Sequence, residues 1–304
     1  TNLNGLWDYA VRPAAEAKPE AFEGRILVPF PIESALSGVR KSVKPDERLW
    51  YRRTFPLAKP AAGTRFLLHF GAVDWEASVS VNGKEVGSHK GGFDPFTFDV
   101  TDALDFSKED QEVVVAVVDP SDTGSQPRGK QVLKPRGIWY TAVTGIWQTV
   151  WLEPVPAARI DSLKIVPDVD AKTISVTANV VGGEAGKPVR FAVFDGDKAV
   201  AHVMGAAGEA VAILLEDPKL WSPDSPFLYD LRVDLGEGAD AVGSYFGMRK
   251  IALGKDEAGV LRLMLNNKPL FQYGPLDQGW WPDGLYTAPT DEALKYDLDV
   301  TKKL

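Results

Sequence analysis

Hydrophobic and polar residues alternate over short runs through most of the chain, and glycine, proline, asparagine or aspartate separates one run from the next. Residues 77–81 alternate, turn at Asn82 and Gly83, and return over residues 84–86. An Asn-Gly pair between two such runs is a strong hairpin signal because both residues tolerate positive φ. Residues 112–118 are almost continuously apolar, which predicts a buried central strand. Up to about residue 253 the pattern is that of an all-β chain built from sandwiches.

Pro154 and Pro156 divide this β-rich region into two parts. Two prolines so close together make a stiff, extended joint, as between domains. After them, six or seven candidate strands occupy about a hundred residues, with turns at 182–183 and 195–197, which indicates an immunoglobulin-like sandwich. The sequence therefore predicts β-sandwiches over residues 1–157 and 158–253, with no long helix in either.

The pattern changes over residues 254–304. Residues 261–265 form an apolar run, 266–269 have turn chemistry, and 270–273 are predicted to return as a strand. A polar and aromatic loop follows, and a helix is predicted after Pro289, with Thr290 as N-cap. A strand, a side-chain-rich loop and a helix make one β/α unit. We therefore predict the first β/α unit of a truncated TIM barrel, whose remaining units are not in this sequence.

Charge and cysteine content exclude several classes of function. Lys and Arg number 34 against 42 Asp and Glu, a net charge of −8, which argues against nucleic acid or an anionic membrane as partner. The absence of Cys excludes disulfides, a thiolate nucleophile and a Cys-ligated zinc. No apolar run approaches the length of a membrane span.

Metal and cofactor chemistry has little support in the sequence. His69, His89 and His202 lie far apart without ligand spacing, so a His-based metal site is not expected. His69 is predicted to be structural in a strand, and His89 to be a loop residue. The aspartates between positions 74 and 102 occupy strand ends and turns, where Asp bonds its own backbone. These aspartates are Asp74, Asp94, Asp99 and Asp102. We expect no cofactor, and a structural calcium or sodium ion is the minor alternative.

Several short motifs, in this order and at this spacing, resemble those of glycoside hydrolase family 2, the β-galactosidases, β-glucuronidases and β-mannosidases. The resemblance extends over nearly the whole chain. The matching stretches are residues 50–53 (WYRR), 70–74 (FGAVD), 79–86, 91–96 (GGFDPF), 145–153 (GIWQTVWLE), 221–229 (WSPDSPFLY), 246–249 (FGMR), 265–271 (LNNKPLF), 277–279 (DQG) and 289–294 (PTDEAL).

The resemblance implies an N-terminal sugar-binding jelly-roll over residues 1–157, an immunoglobulin-like sandwich over 158–253 and the start of the catalytic barrel over 254–304. It implies a carbohydrate substrate and hydrolysis of terminal β-glycosidic bonds with retention, by two Glu residues of the barrel. The acid/base Glu of the family follows an Asn, and no Asn-Glu pair occurs here. We therefore assign no catalytic residue and expect this chain alone to be inactive.

The candidate substrate-binding residues lie in two loops. Asp277 and Gln278 follow the predicted first barrel strand, where barrel enzymes place their sites, and can hydrogen-bond sugar hydroxyls. Trp280 and Trp281 are expected to divide between stacking on substrate and packing on the jelly-roll. Many family members carry a His-containing loop at Asp277 and Gln278, so the sugar stays open.

The second loop, residues 119–145, is long enough to suggest a function. Arg136 and Trp139 in it either line a sugar subsite or belong to a solvated loop packed on Trp139, and the two readings are equally favoured.

Two other functions stay open. One is a stand-alone carbohydrate-binding or adhesion protein made of two sandwiches, and the other is a complete enzyme using loop carboxylates such as Asp94 and Asp283. A periplasmic or secreted location is expected, its signal not being in this sequence, and a cytoplasmic one stays open. The sequence leaves the linkage and the oligomeric state open.

Overall fold

A computed structural model describes residues 1–183, 186–236 and 238–304 of the chain. Two compact units are present: one comprises Thr1–Val155 and Pro275–Leu304, and the other Pro156–Gly274. Strands dominate both, which confirms the predicted all-β character. The division falls within the proline joint, between Val155 and Pro156. It also splits residues 254–304 between the two units, so a separate barrel domain there stays a prediction.

The first unit is a β-sandwich with two main antiparallel sheets. Its strands are β1 (Gly5–Pro13), β2 (Gly24–Val28), β3 (Glu47–Pro56), β4 (Thr64–Phe70), β5 (Val73–Asp74), β6 (Glu76–Val81), β7 (Lys84–Lys90), β8 (Phe96–Asp99), β9 (Asp110–Val118), β10 (Gln131–Val132), β11 (Tyr140–Thr141), β12 (Gly145–Ile146) and β13 (Val150–Pro156). One sheet has the order β2-β1-β3-β9-β6-β7, and the other has the order β13-β4-β8. A single apolar core includes Trp7 and Tyr51 from the first sheet and Phe70 from the second, so the sheets pack face to face.

Two local predictions for this unit are confirmed. Strand β9 lies between β3 and β6 and most of its residues are buried, including Val113–Val115 in succession, as its nearly continuous apolar run predicts. Strands β6 and β7 form a hairpin at Asn82 and Gly83, which adopt φ of 49° and 83°. The side chain of Asn82 donates to Ala103 O at 2.9 Å, which ties the turn to a short 3₁₀ helix at Thr101–Ala103.

The second unit contains a seven-stranded antiparallel sandwich. Its strands are β14 (Arg159–Asp168), β15 (Thr173–Val181), β16 (Pro188–Asp195), β17 (Lys198–Ala206), β18 (Ala210–Leu214), β19 (Tyr229–Leu235) and β20 (Asp240–Phe246). They form sheets of order β14-β15-β18 and β17-β16-β19-β20. Both sheets contribute to one core, with Ile174 and Val176 facing Phe191 and Val233. The strand number and pairing are those of an immunoglobulin-like sandwich.

A small antiparallel sheet completes the second unit. It contains β21 (Ile251–Lys255), β22 (Leu261–Leu265) and β23 (Lys268–Pro269). The predicted return strand over residues 270–273 is wrong, because pairing stops at Pro269 and Phe271 and Tyr273 are 87% and 91% exposed. Proline cannot donate to a ladder, and Gly274 and Pro275 follow at once, so the run has no partner to extend it. This run is also the predicted first barrel strand, so the described residues contain only the loop and the helix of the predicted β/α unit.

The single α-helix of the described residues, α1, spans Asp291–Lys303. Thr290 caps it as predicted, since its side-chain oxygen accepts a hydrogen bond from Ala293 N at 3.1 Å. No residue of α1 is buried, and Leu294 and Leu298 are 48% and 71% exposed. Among the described helices, none combines the length and the hydropathy that a membrane crossing needs.

The histidine and loop predictions are partly corrected. His69 lies in β4, stacks on Trp151 at 4.6 Å, and its Nδ1 lies 2.8 Å from Thr97 Oγ1, as expected of a structural residue. His89 is not a loop residue; it lies in β7 and stacks on Phe96 at 4.3 Å. The strand continues because the glycine turn begins only at Gly91. Residues 119–145 are likewise not wholly irregular, since β10 and β11 pair in parallel.

Candidate functional site

Residues 275–290 contain no long element, but hydrogen bonds fix them against the first sandwich. Leu36 N donates to Asp283 O at 3.2 Å, and Thr287 Oγ1 lies 2.6 Å from Trp147 O. Leu285 is buried and adopts φ of 60°, and its backbone exchanges two hydrogen bonds with Trp281. The segment is therefore a fixed part of the first unit and brings its aromatic side chains to one face of it.

Five aromatic rings meet where this segment lies on the sandwich; we call them the aromatic cluster. Trp280 lies nearly flat on Tyr140, with centroids 4.6 Å apart and planes at 18°. Tyr286 meets Trp280 edge-on at 6.0 Å and packs on Trp147 at 5.0 Å and on Phe93 at 5.7 Å. Such edge-to-face and offset contacts are the favourable geometries for aromatic pairs. The cluster joins the 275–290 segment to three segments of the sandwich; its members are Phe93, Tyr140, Trp147, Trp280 and Tyr286.

Polar groups border the aromatic cluster. Lys130 Nζ donates to Gln278 Oε1 at 3.0 Å, and Lys130 O accepts from Tyr140 N at 2.9 Å. Asp277 Oδ1 accepts from Gly279 N at 2.7 Å, which shapes the turn before Trp280. Asp277 and Gln278 are exposed, and Lys130 is half-buried. Partly exposed rings beside amide, ammonium and carboxylate groups can stack on a pyranose ring, and the polar groups can hydrogen-bond its hydroxyls.

The structure brings together some of the predicted site residues. Gln278 and Trp280 contact loop 119–145 through Lys130 and Tyr140. Trp281 lies apart from this contact and lines a groove of about 880 Å³ with Trp147 and Trp151. The roles of these residues in binding stay predictions.

Arg136 and Trp139 are not joined to the segment. Trp139 N donates to Arg136 O at 3.1 Å, which closes a turn, and the Trp139 side chain is 39% exposed. Over the described ranges, no hydrogen bond or ring contact links either side chain to residues 275–290. Both readings of this turn stay open.

Three acidic side chains lie beneath the aromatic cluster. Thr144 N donates to Glu33 Oε2 at 2.9 Å, and Thr144 Oγ1 donates to Asp119 Oδ2 at 3.2 Å, so one buried threonine holds both acids. Asp74, 6% exposed, lies in β5, which pairs with β12 just after Thr144. We call Glu33, Asp74 and Asp119 the buried acid group.

Burial dominates the electrostatics of the buried acid group. It raises the pKa of Glu33 to about 8. Burial, followed by the charges of Asp119 and Glu33, raises the pKa of Asp74 to about 8. Burial raises the pKa of Asp119 as well. In the part of the chain that the structure describes, none of the ion pairs includes these acids, so no cation favours their charged forms.

Asp74 is linked to the aromatic cluster through Gly92. A Cβ on Gly92 would lie 2.5 Å from Asp74 Oδ1, so only glycine lets this backbone lie on the carboxyl. Trp147 Nε1 donates to Gly92 O at 2.7 Å, and Phe93 follows directly. The buried Tyr286 hydroxyl has no hydrogen-bond partner among the described residues. Burial, then the charges of Asp74 and Asp119, raises the pKa of Tyr286 above its usual range.

Sequence reasoning missed the buried acid group and underrated Lys130, Tyr140 and Tyr286. The prediction that Asp74 is a turn residue bonding its own backbone is wrong, because β5 places its side chain inside the sandwich. The same prediction is confirmed for Asp99, whose Oδ1 accepts a hydrogen bond from Thr101 N at 3.1 Å. A signal existed for Asp74: it follows an apolar run in residues 70–74, where an unpaired carboxylate is costly.

Two family descriptions match the chain. The first, glycosyl hydrolase 2 galactose-binding domain-like, matches residues 39–139, and the second, glycosyl hydrolases family 2, matches residues 158–249. A β-galactosidase from Thermoanaerobacter pseudethanolicus is 28% identical over 271 residues, which is 83% of this chain and 35% of that protein. A β-glucuronidase from Paenibacillus borealis is 26% identical over 82% of this chain and 45% of its own length.

Solved structures agree with the sequence matches. The Faecalibacterium prausnitzii β-glucuronidase superposes with a TM-score of 0.80 at 26% identity, covering 99% of this chain and 53% of its own. A Ruminococcus gnavus β-glucuronidase, 20% identical with a TM-score of 0.81, shares the fold. The tandem β-sandwiches and the sequence matches together indicate a protein of the glycoside hydrolase class. The chain belongs to glycoside hydrolase family 2. It spans a third to a half of the length of these relatives.

Proposed function

We propose that this chain is the N-terminal, sugar-binding part of an enzyme that hydrolyses terminal β-glycosidic bonds with retention. The observation that carries the proposal is the meeting of Gln278 and Trp280 with Lys130 and Tyr140 in one unit. Family membership and the relatives described as β-galactosidase and β-glucuronidase support it.

In this proposal the aromatic cluster and its polar border hold the sugar. Tyr140 supports one face of Trp280, which orients the indole for stacking on the apolar face of a pyranose. Gln278 and Asp277 hydrogen-bond sugar hydroxyls. Lys130 orients the Gln278 amide and adds a positive charge that suits a uronic acid better than a neutral galactoside.

Retaining hydrolysis needs a pair of catalytic carboxyl groups, and we assign neither of them to this chain. Retention requires two carboxyl groups about 5 Å apart across the scissile bond, one as nucleophile and one as acid/base. Glu33 and Asp74, whose pKa values burial raises to about 8, are not the ionised carboxylate that the nucleophile must be at neutral pH. In this proposal the catalytic Glu pair lies in barrel units that are not in this sequence. Residues 275–304 supply the first loop and the first helix of that barrel.

The test begins with the coding sequence downstream of Leu304. A continuation of several hundred residues with an Asn-Glu pair, whose protein cleaves aryl β-galactosides or β-glucuronides, is the expected result. A stop codon there, with sugar binding by the chain itself, would favour the stand-alone carbohydrate-binding protein and contradict the proposal.

A further inference from the structure

The buried acid group is unusual because no ion pair among the described residues compensates its charge, and hydrogen bonds from Ser121 N and Ser121 Oγ reach only Asp119. Ionised carboxylates inside a protein are normally paired with a cation or bound to a metal. Here Glu33 and Asp119 share Thr144 as a donor, and Glu33 Oε1 is buried with no hydrogen-bond partner in the described structure. Among the described side chains, no set of acids and histidines has the geometry of a metal site. The group is therefore suited to uncharged carboxylic acids.

The position of Asp74 couples this group to the candidate sugar-binding face. Its carboxyl lies against the backbone of Gly92 with no space for a side chain between them. The Gly92 carbonyl in turn accepts the Trp147 indole N–H at 2.7 Å, and the Phe93 ring packs on Tyr286 at 5.7 Å. Tyr286 holds the edge of Trp280. A displacement of Asp74 can thus reach Trp280 through three successive contacts: Asp74 with Gly92, Phe93 with Tyr286, and Tyr286 with Trp280.

We propose that Asp74, in its uncharged form, is a positioning residue that holds the aromatic cluster, and that its ionisation releases Tyr286 and Trp280 from their places. Its consequence for sugar binding rests on the proposed function, whereas the conformational change does not. The assignment makes the sugar-binding face sensitive to alkaline pH.

Every titratable group known to act on Asp74 opposes its ionisation. Asp119 follows β9, Glu33 lies in the segment after β2, and Tyr286 approaches from residues 275–290. All three are acids, so a charge on Asp74 meets only groups that are neutral or negative. The remaining way to stabilise that charge is to admit water, which requires the Gly92 backbone to move off the carboxyl that it covers. Because the pKa of Asp74 is about 8, this begins near pH 8.

Hydrogen–deuterium exchange of the purified chain tests the proposal without any sugar. Exchange of residues 280–287 is measured from about pH 6 to 9.5 and expressed as protection factors, which removes the intrinsic dependence on pH. The first variant is Asp74→Asn, a neutral isostere. The control is Asp94→Asn, which removes an exposed carboxylate from the loop that contains Gly92.

We expect protection of residues 280–287 in the wild type and in Asp94→Asn to fall roughly tenfold above pH 8. In Asp74→Asn it should stay nearly constant, because the amide cannot ionise. Equal pH dependence in Asp74→Asn and wild type would overturn the proposal, as would a wild type whose protection is flat over the range.

A measurement on the wild type alone covers the case in which Asp74→Asn does not fold. Tryptophan emission is followed over the same pH range, and a transition centred near 8 is expected; its absence overturns the proposal. Titration with methyl β-D-galactopyranoside and methyl β-D-glucuronide at pH 7 separates the two claims. No binding there counts against the proposed function and leaves the exchange result standing.

Discussion

Trp280 is the residue on which sugar binding depends most directly in this account. Tyr140 covers one of its faces and the edge of Tyr286 fixes its angle, while the ring stays partly exposed. A ring held on two sides loses little freedom when a ligand stacks on it. We expect Trp280 to contribute little to the stability of the folded chain. Its neighbours Tyr140 and Tyr286 are also held by contacts that do not involve Trp280.

Replacing Trp280 by Ala should weaken binding of a methyl β-glycoside about threefold to tenfold, which is the worth of one aromatic contact. The melting temperature should change little. Calorimetric titration measures the first effect and a thermal melt the second. Tyr273→Ala, which removes a ring that is 91% exposed elsewhere, is the control. Equal affinity in Trp280→Ala and wild type would contradict the assignment.

Glu33 should make stability depend on pH in a defined direction. Its pKa is about 8 in the folded chain against 4.5 ordinarily. Between these values the folded chain keeps a proton that the unfolded chain has lost, so the free energy of unfolding falls as pH rises and levels off above 8. Gln at this position does not titrate.

Glu33→Gln should therefore gain melting temperature relative to wild type as pH rises from about 5 to 8, with a constant difference above that. Thermal melts at several pH values measure it, with Glu16→Gln, an exposed change in the same unit, as control. A difference between Glu33→Gln and wild type that is independent of pH would show that Glu33 is not buried as described.

At the scale of elements, α1 differs from the strands because it begins at a well-formed cap but has no fully buried residue. Thr290 Oγ1 accepts from Ala293 N, and Asp291 and Glu292 suit the positive end of the helix dipole. With no residue of α1 buried, local interactions stabilise the helix. Its apolar residues would be covered by further barrel units in the proposed enzyme.

Thr290→Ala should fray the helix, because losing an N-cap costs about 1 kcal/mol. Amide protection over residues 293–296 should fall while the melting temperature of the sandwich is unchanged. Thr301→Ala, a change inside the same exposed helix, should leave that protection equal or higher, since Ala is the better helix former. Similar protection in both variants would contradict the capping role.

Local signals were enough to predict the strands and the helix start. A nearly continuous apolar run predicted β9, Asn82 and Gly83 predicted a hairpin, and Thr290 predicted the start of α1. These features depend on a few neighbouring residues. The strand over 270–273 failed because a strand exists only where a partner pairs with it, and pairing is not local.

The candidate site was less predictable because distant segments build it. Gln278 and Trp280 could be singled out, but their partners Lys130 and Tyr140 lie about 140 residues earlier in the sequence. Asp74 looked like a turn residue in sequence because its neighbours in space, Glu33 and Asp119, come from other loops. Burial of acids is a property of packing, which no short pattern contains.

At the scale of the whole molecule, the chain combines two compact units, and we propose that the first of them binds sugar. Saturation-transfer NMR with 4-nitrophenyl β-D-galactoside and 4-nitrophenyl β-D-glucuronide reports binding and hydrolysis in one sample. We predict saturation transfer from the purified chain to the sugar protons of at least one glycoside. The transfer should be weaker with Trp280→Ala, and no free nitrophenol should form over hours. No saturation transfer to either glycoside, or release of nitrophenol that persists after repurification, would contradict it.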